Sequence, residues 1–195
     1  MDAQGFPLFA GMAGDDLRGG RPLPSNRVIR WSNFFKFPEV TGDPANKGKR
    51  LDTLLAAPLF KLPFIPDPGV KSLAARNLLR GKTFGLPSGE TVAEFMGIKH
   101  PLTDEHLADI RTIGLTETPL WFYILREAET NTNGERLTGV GGRIVAEVFL
   151  GILEGDPMSF LSQSADFRPT LPSTVKGDFT MADLLRFARV GPAPS

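Results

Sequence analysis

The chain contains no cysteine in 195 residues. That excludes disulfides, zinc–thiolate sites, iron–sulfur clusters and thiol nucleophiles together. It has only two histidines, His100 and His106, too few for a conventional metal site or a catalytic triad to be read from the sequence. Its 22 basic residues balance 22 acidic ones, so charge gives no sign of a nucleic-acid binder. No uninterrupted apolar run approaches bilayer length, because even the richest stretch, Ile144 to Leu153, contains Glu147. The start of the chain lacks the basic, apolar and small-residue order of a secretory signal. The sequence-level expectation is therefore a chain without a membrane span, its compartment open and the cytoplasm favoured.

What the chain does have is 21 Gly, 17 Pro and 15 Phe against a single Tyr. Gly and Pro crowd the first seventy positions, so residues 1–69 are expected to be loops and short helices within one region spanning 1–195. The cluster Arg30-Trp31-Ser32-Asn33-Phe34-Phe35-Lys36-Phe37 reads as a short helix or turn anchoring its rings in a core.

From 70 to 190 the pattern becomes helical, with about six helices and no convincing strand. Leu73 to Arg80 is bounded by Gly81, and Glu90 to Met96 by Gly97. Thr103 with Asp104 and Glu105 marks a third start, and Thr118 as a cap before Pro119 opens a fourth that runs to about Ala128. Val140 to Leu153 carries a narrow polar stripe of Arg143, Glu147 and Glu154, and its other faces are apolar, which predicts a central, buried helix. Thr180 with Asp183 resembles a capping box opening Met181 to Arg189, before a frayed tail. The expected class is mainly α.

Catalytic motifs are scarce. His100 precedes a proline in a loop and His106 lies in a polar first turn, so both are expected to face solvent. Asp104-Glu105 is explained as helix-start charge. No phosphate loop, dinucleotide fingerprint, nucleophile elbow or calcium loop occurs. Gly139-Val140-Gly141-Gly142 reads either as an anion-binding turn or as a close entry bend, and the lack of a preceding strand favours the bend.

The segment from Lys71 to Lys82 is more informative. No acid occurs between Asp67 and Glu90, yet Lys71, Arg76, Arg80 and Lys82 do. On a helix, Leu73, Asn77 and Arg80 share a face. Spacing alone leaves two readings open: a solvated polar edge, or a site where an amide positions one group and a guanidinium pairs with a carboxylate or phosphate.

Asn77-Leu78-Leu79-Arg80-Gly81-Lys82-Thr83-Phe84-Gly85-Leu86-Pro87-Ser88 resembles the Asn-x-x-Arg-Gly-Arg-Asp-His-Gly-Leu-Pro-Ser segment of the animal-type haem peroxidases (the peroxidase–cyclooxygenase superfamily), and most of all their bacterial branch. Thr118-Pro119-Leu120-Trp121, Glu127, Gly134, Val140-Gly141, Ala146, Phe149 and Gly155-Asp156 follow that superfamily's order downstream. Pro7-Leu8-Phe9, Asp16-Leu17-Arg18-Gly19, Trp31 and Phe34-Phe35 match the bacterial branch upstream.

The resemblance spans roughly residues 6 to 189. It implies a helical haem-peroxidase domain, peroxide-driven oxidation of a reducing substrate, and a part in the response to oxidative stress. It places Asn77 beside the proximal histidine's second ring nitrogen and Arg80 on a haem propionate. Lys71, Arg76 and Lys82 are read as surface charges. Lys82-Thr83-Phe84 replaces the family's Arg-Asp-His, so contacts made there by that Asp and His do not carry over.

The family's distal and proximal histidines precede the matched region, and His100 and His106 match neither. The chain thus resembles the C-terminal portion of the domain, expected to need an N-terminal complement for haem and to be inactive alone. Calcium accompanies haem in the full family domain, but no calcium site is visible in this sequence. The competing expectation is a non-catalytic helical interaction module, a degenerate remnant whose apolar helix is covered by a protein partner.

Overall fold

A computed structural model of the chain describes residue 22 and residues 28–41, 48–164 and 166–191. The upstream matches at Pro7-Leu8-Phe9 and Asp16–Gly19, most of the expected loop region before residue 28, and the tail beyond Gly191 lie outside the described residues. Seven α-helices and two 3-10 turns occur among those described. The only β pairings there are isolated bridges, Ser88 with Pro119 and Val175 with Asp178. The chain is mainly α, as its pattern predicts. Its residues fall into two compact units, Arg50–Gln163 and the described parts of Met1–Lys49 with Ser164–Ser195.

The first unit carries six helices. α1 spans Leu73–Thr83 and is capped by the Ser72 hydroxyl, which accepts from the Ala75 N–H at 3.3 Å. Gly81 was expected to stop this helix and does not. The left-handed residue that ends it is Gly85, at φ +61°, and the Leu86 N–H returns to the Gly81 carbonyl at 3.0 Å. α2, Gly89–Phe95, starts at the Ser88 cap and is followed by Gly97 at φ +63°.

α3 spans only Ala108–Thr112, later than Thr103 suggested. The Thr103 N–H and hydroxyl meet His106 Nδ1, each at 3.1 Å, and Asp104 is drawn to Arg111 Nε at 2.8 Å. The cap and the first acid are thereby diverted from opening a regular turn, and residues 104–107 remain a turn. α4, Leu120–Thr132, runs past Ala128 to a left-handed cap at Asn133.

α5, Gly139–Gly155, matches the expected fifth helix in position but not in environment. Only Val140 and Gly141 are buried, whereas Phe149 is 63% and Ile152 62% exposed. Its first turns pack on α2 and α4, with Ile144 against the core cluster. The rest of its apolar surface stands in solvent, because apolar periodicity reports what a helix could bury and not whether a neighbour reaches it. A short α6, Phe160–Gln163, follows. The core of this unit is Ala93, Leu102, Leu107, Tyr123 and Val140.

In the second unit, Trp31–Asn33 forms a 3-10 turn and α7 spans Met181–Phe187. Phe37, 1% exposed, packs with Ala182 and Leu185, so the aromatic cluster does anchor a ring in a core. The Arg186 guanidinium pairs with Glu39 and lies 5.9 Å from the Phe37 ring centre.

The Thr180–Asp183 capping box is present. Asp183 accepts from the N–H groups of Thr180 and Thr174, both at 2.9 Å, and from both hydroxyls at 2.7 Å. These donors, the Thr180 N–H foremost, hold its carboxyl far below the ordinary value. A depressed carboxyl adds stability that is present above its unfolded value, about 3.9, and is lost as pH falls through the native one. Asp183→Asn is therefore expected to lower the melting temperature at pH 7 and to flatten the acid-side loss. Melting curves between pH 2 and 7 check this, and an unchanged acid slope would contradict it.

Candidate functional site

The site is a cleft in the Arg50–Gln163 unit, about 460 Å³, between the C-terminal half of α1, the Gly85–Ser88 turn and the start of α4. That volume lies within the range of small-molecule sites. The Gly85 turn brings Leu86 and Pro87 back toward α1, and Gly81 meets Leu86 closely enough that an added Cβ would touch its Cδ1 at 3.8 Å. Ser88 leaves the turn as the cap of α2 and accepts from the Thr91 N–H at 3.2 Å.

The second wall, from Glu117 to Trp121, is held by α2. The Gly89 N–H donates to the Thr118 carbonyl at 2.9 Å. Glu90 accepts from the Thr118 N–H at 3.0 Å, the Thr118 hydroxyl at 2.6 Å and Arg111 Nη2 at 2.9 Å. Burial pushes the Glu90 carboxyl up, but the Thr118 hydroxyl and the Arg111 guanidinium outweigh it and leave it below the ordinary range. Thr118 is fully buried and does not cap α4, since no side-chain cap bond forms and Pro119 takes the N-cap position. Its hydroxyl serves Glu90 instead.

Behind this wall Gly89 meets the Tyr123 ring, whose hydroxyl accepts from the Leu102 N–H at 3.1 Å. Burial, together with the nearby carboxylates Glu127 and Glu90, raises the Tyr123 phenol above its ordinary value and keeps it neutral.

Asn77 and Arg80 both line the cleft. Asn77 is half-buried and Arg80 exposed, and neither side chain bonds to another described residue. Leu86, Pro119, Leu120 and Trp121 supply apolar wall. An uncommitted amide and an uncommitted guanidinium one helical turn apart, beside apolar surface, suit a ligand with a flat apolar body and a carboxylate.

His100 and His106 are exposed and do not line the cleft. Among the described residues no group of three or more His, Asp or Glu side chains could hold a metal ion. A recess beside Thr174, Asp183 and Arg186 in the other unit is lined by polar groups already bonded to one another.

One further buried acid was not singled out for a role of its own in the sequence. Glu127, on α4, is fully buried, and its carboxylate accepts from the N–H groups of Val140 at 3.1 Å and Gly141 at 3.3 Å. It supplies the anion for the α5 N-terminus. Gly139 enters at φ +41°, and a Cβ there would sit 2.0 Å from Glu127 Oε1. The glycine-rich entry is thus both a close bend and an anion site, the anion being the chain's own. The signal lay in a glycine-rich helix start following an acid in the preceding helix.

No family model matches the chain, and no curated protein or solved structure matches it either.

Proposed function

We propose that the chain is part of a haem-dependent peroxidase, supplying the amide that orients a proximal histidine and the guanidinium that holds a haem propionate. The carrying observation is that Asn77 and Arg80, three residues apart on α1, line one apolar-walled cleft and are engaged by nothing else described. The donor set fits the edge of a haem: an amide for imidazole, a guanidinium for a carboxylate, and a tryptophan and leucine for a flat ring. Neither histidine lines the cleft, so the residues present would hold the edge of the haem and would leave the ligand to iron to a complement.

Haem, when bound, supplies the iron chemistry by which peroxide oxidises a reducing substrate. The work of this chain is to bind and to orient. With haem bound, the Asn77 side-chain oxygen would accept the imidazole N–H and fix the ring's tautomer, raising its basicity toward metal. Arg80 neutralises a carboxylate that would otherwise resist entering an apolar cleft.

Mixing the chain with haem, with and without the complement, tests this. A Soret band only in the mixture is expected, and none under either condition with both parts folded would overturn the reading. In the assembled protein, Asn77→Ala should alter the iron's spin state or potential with little change in melting. Arg80→Ala should weaken haem retention about fivefold at low salt, the modest size expected of an exposed charge. Unchanged haem binding and turnover in both variants would remove these roles.

The second reading is a non-catalytic module that binds a protein partner. It is favoured by one observation, the exposed Val148, Phe149 and Ile152 of α5. A cooperative monomer without haem affinity, even when the complement is supplied, would support it.

A further inference from the structure

α4 begins without a side-chain cap of its own, since Pro119 takes the N-cap position. The placing of Leu120 and Trp121, which line the cleft, is therefore set from elsewhere. The anchor is Thr118, fully buried just ahead of them. Its carbonyl accepts from the Gly89 N–H at 2.9 Å. Its two donors, the N–H and the hydroxyl, both go to Glu90 of α2, at 3.0 Å and 2.6 Å.

Glu90 is itself held by a third element. Arg111 of α3 donates through Nη2 to Glu90 at 2.9 Å and through Nε to Asp104 at 2.8 Å, and its Nη1 meets the Leu115 carbonyl at 3.3 Å. One guanidinium thus ties α2 to the turn before α3 and to the segment that leads into α4. Its planar fork fixes the direction of each bond as well as its length. Neither Glu90 nor Arg111 lines the cleft.

We infer that Glu90, held by Arg111, is the positioning residue of the cleft: it keeps both Thr118 donors engaged and so sets where Trp121 stands against a bound ligand. The identity of that ligand rests on the haem reading, in which Glu90 and Arg111 have no part. Without the carboxylate two buried donors lose their acceptor, and a buried donor left unpaired costs more than the bond was worth. Thr118 itself lines the cleft, so its donors find a substitute by turning toward that space. Pro119, its φ fixed by the ring, passes the movement to Leu120 and Trp121.

The test uses the full chain carrying Trp31→Phe, so that Trp121 is the sole indole. Glu90→Ala should raise acrylamide quenching of Trp121 and shift its emission to the red. Glu90→Gln keeps one acceptor oxygen for Thr118 and should fall between Glu90→Ala and the parent. Glu127→Gln, which destabilises the same unit at another point of α4, should leave Trp121 quenching unchanged. In the assembled protein, Glu90→Ala should weaken haem retention about tenfold, the equivalent of one buried hydrogen bond.

A folded Glu90→Ala chain with parental quenching overturns the inference. So does a Glu127→Gln chain whose quenching rises as far, because the signal then follows stability alone. Where Glu90→Ala does not fold, Glu90→Gln decides, and parental quenching in it overturns the inference. Displaced Trp121 with unchanged haem retention removes the link from the wall to the ligand and overturns it too. An assembled parent that holds no haem removes the haem reading, while a displaced Trp121 in Glu90→Ala still supports the hold of Glu90 on the wall.

Discussion

Glu127→Ala is expected to lower the unfolding free energy by about 3 kcal/mol or more, because it orphans two buried N–H donors at about 1–3 kcal/mol each. For a chain of this length that corresponds to a fall of roughly 10 °C in melting temperature. The donors belong to Val140 and Gly141, and Val140 is fully buried, so water does not readily replace the lost acceptor. Glu127→Gln keeps one acceptor oxygen and should lose about 1–2 kcal/mol.

The same pair carries a pH signature. Burial pushes the Glu127 carboxyl up, against the pull of the Val140 and Gly141 N–H groups. A carboxyl raised above its unfolded value, about 4.3, binds its proton more readily in the native state. Its contribution to stability is therefore full below the unfolded value and declines as pH rises through the native one. Glu127→Gln should remove that decline. Chemical denaturation at pH 4 and pH 8 measures it, and an identical pH difference in the parent and Glu127→Gln would sink the account. Gly139→Ala should also destabilise, through φ +41° and a Cβ 2.0 Å from the carboxylate. Combined with Glu127→Ala, its cost should be less than additive, because the steric part depends on that carboxylate.

Gly89→Ala is the second large effect, with an expected loss of about 3 kcal/mol or more, at the upper end of overpacking costs. A Cβ at Gly89 would lie 2.0 Å from Tyr123 Cγ, 2.2 Å from its Cβ and 2.4 Å from Cδ2. Those atoms sit at the root of a fully buried side chain whose hydroxyl is tied to Leu102. Rotation about the side chain therefore cannot relieve the clash, and α2 or α4 must shift. The usual benefit of alanine over glycine in a helix, about 1 kcal/mol, is too small to offset this.

The same shift would displace the Thr118–Trp121 wall, so in the assembled protein Gly89→Ala should weaken haem retention as well as lower the melting temperature. A Gly89→Ala chain that melts at or above the parent would show that the contact between α2 and α4 is looser than these distances require.

Much of the helical layout was legible because its signals are local. Gly97 as a stop and Thr180 with Asp183 as a capping box both depend on residues within one turn. Local signals misled where a distant group competed. Thr118 looks like a cap and is fully occupied by Glu90, 28 residues away in sequence. Thr103 looks like a helix start and is diverted by His106 and the demand of Arg111 on Asp104. Gly81 looks like a stop, yet the helix continues because Gly85, four residues later, supplies the left-handed turn.

By itself the sequence determined the mainly helical class, the positions of the principal helices, and the placing of Asn77 and Arg80 on one face of α1. Capping and helical periodicity act over three or four residues and need no tertiary partner. Only the tertiary structure decided that this face opens on a cleft shared with Lys82, Glu117 and Trp121, that Glu127 serves α5, and that most of α5 is exposed. Each of these depends on which surface meets which across many residues of chain. Burial, and with it the cost of an unpaired charge or an uncovered apolar face, is set by that meeting and not by the residues on either side in sequence.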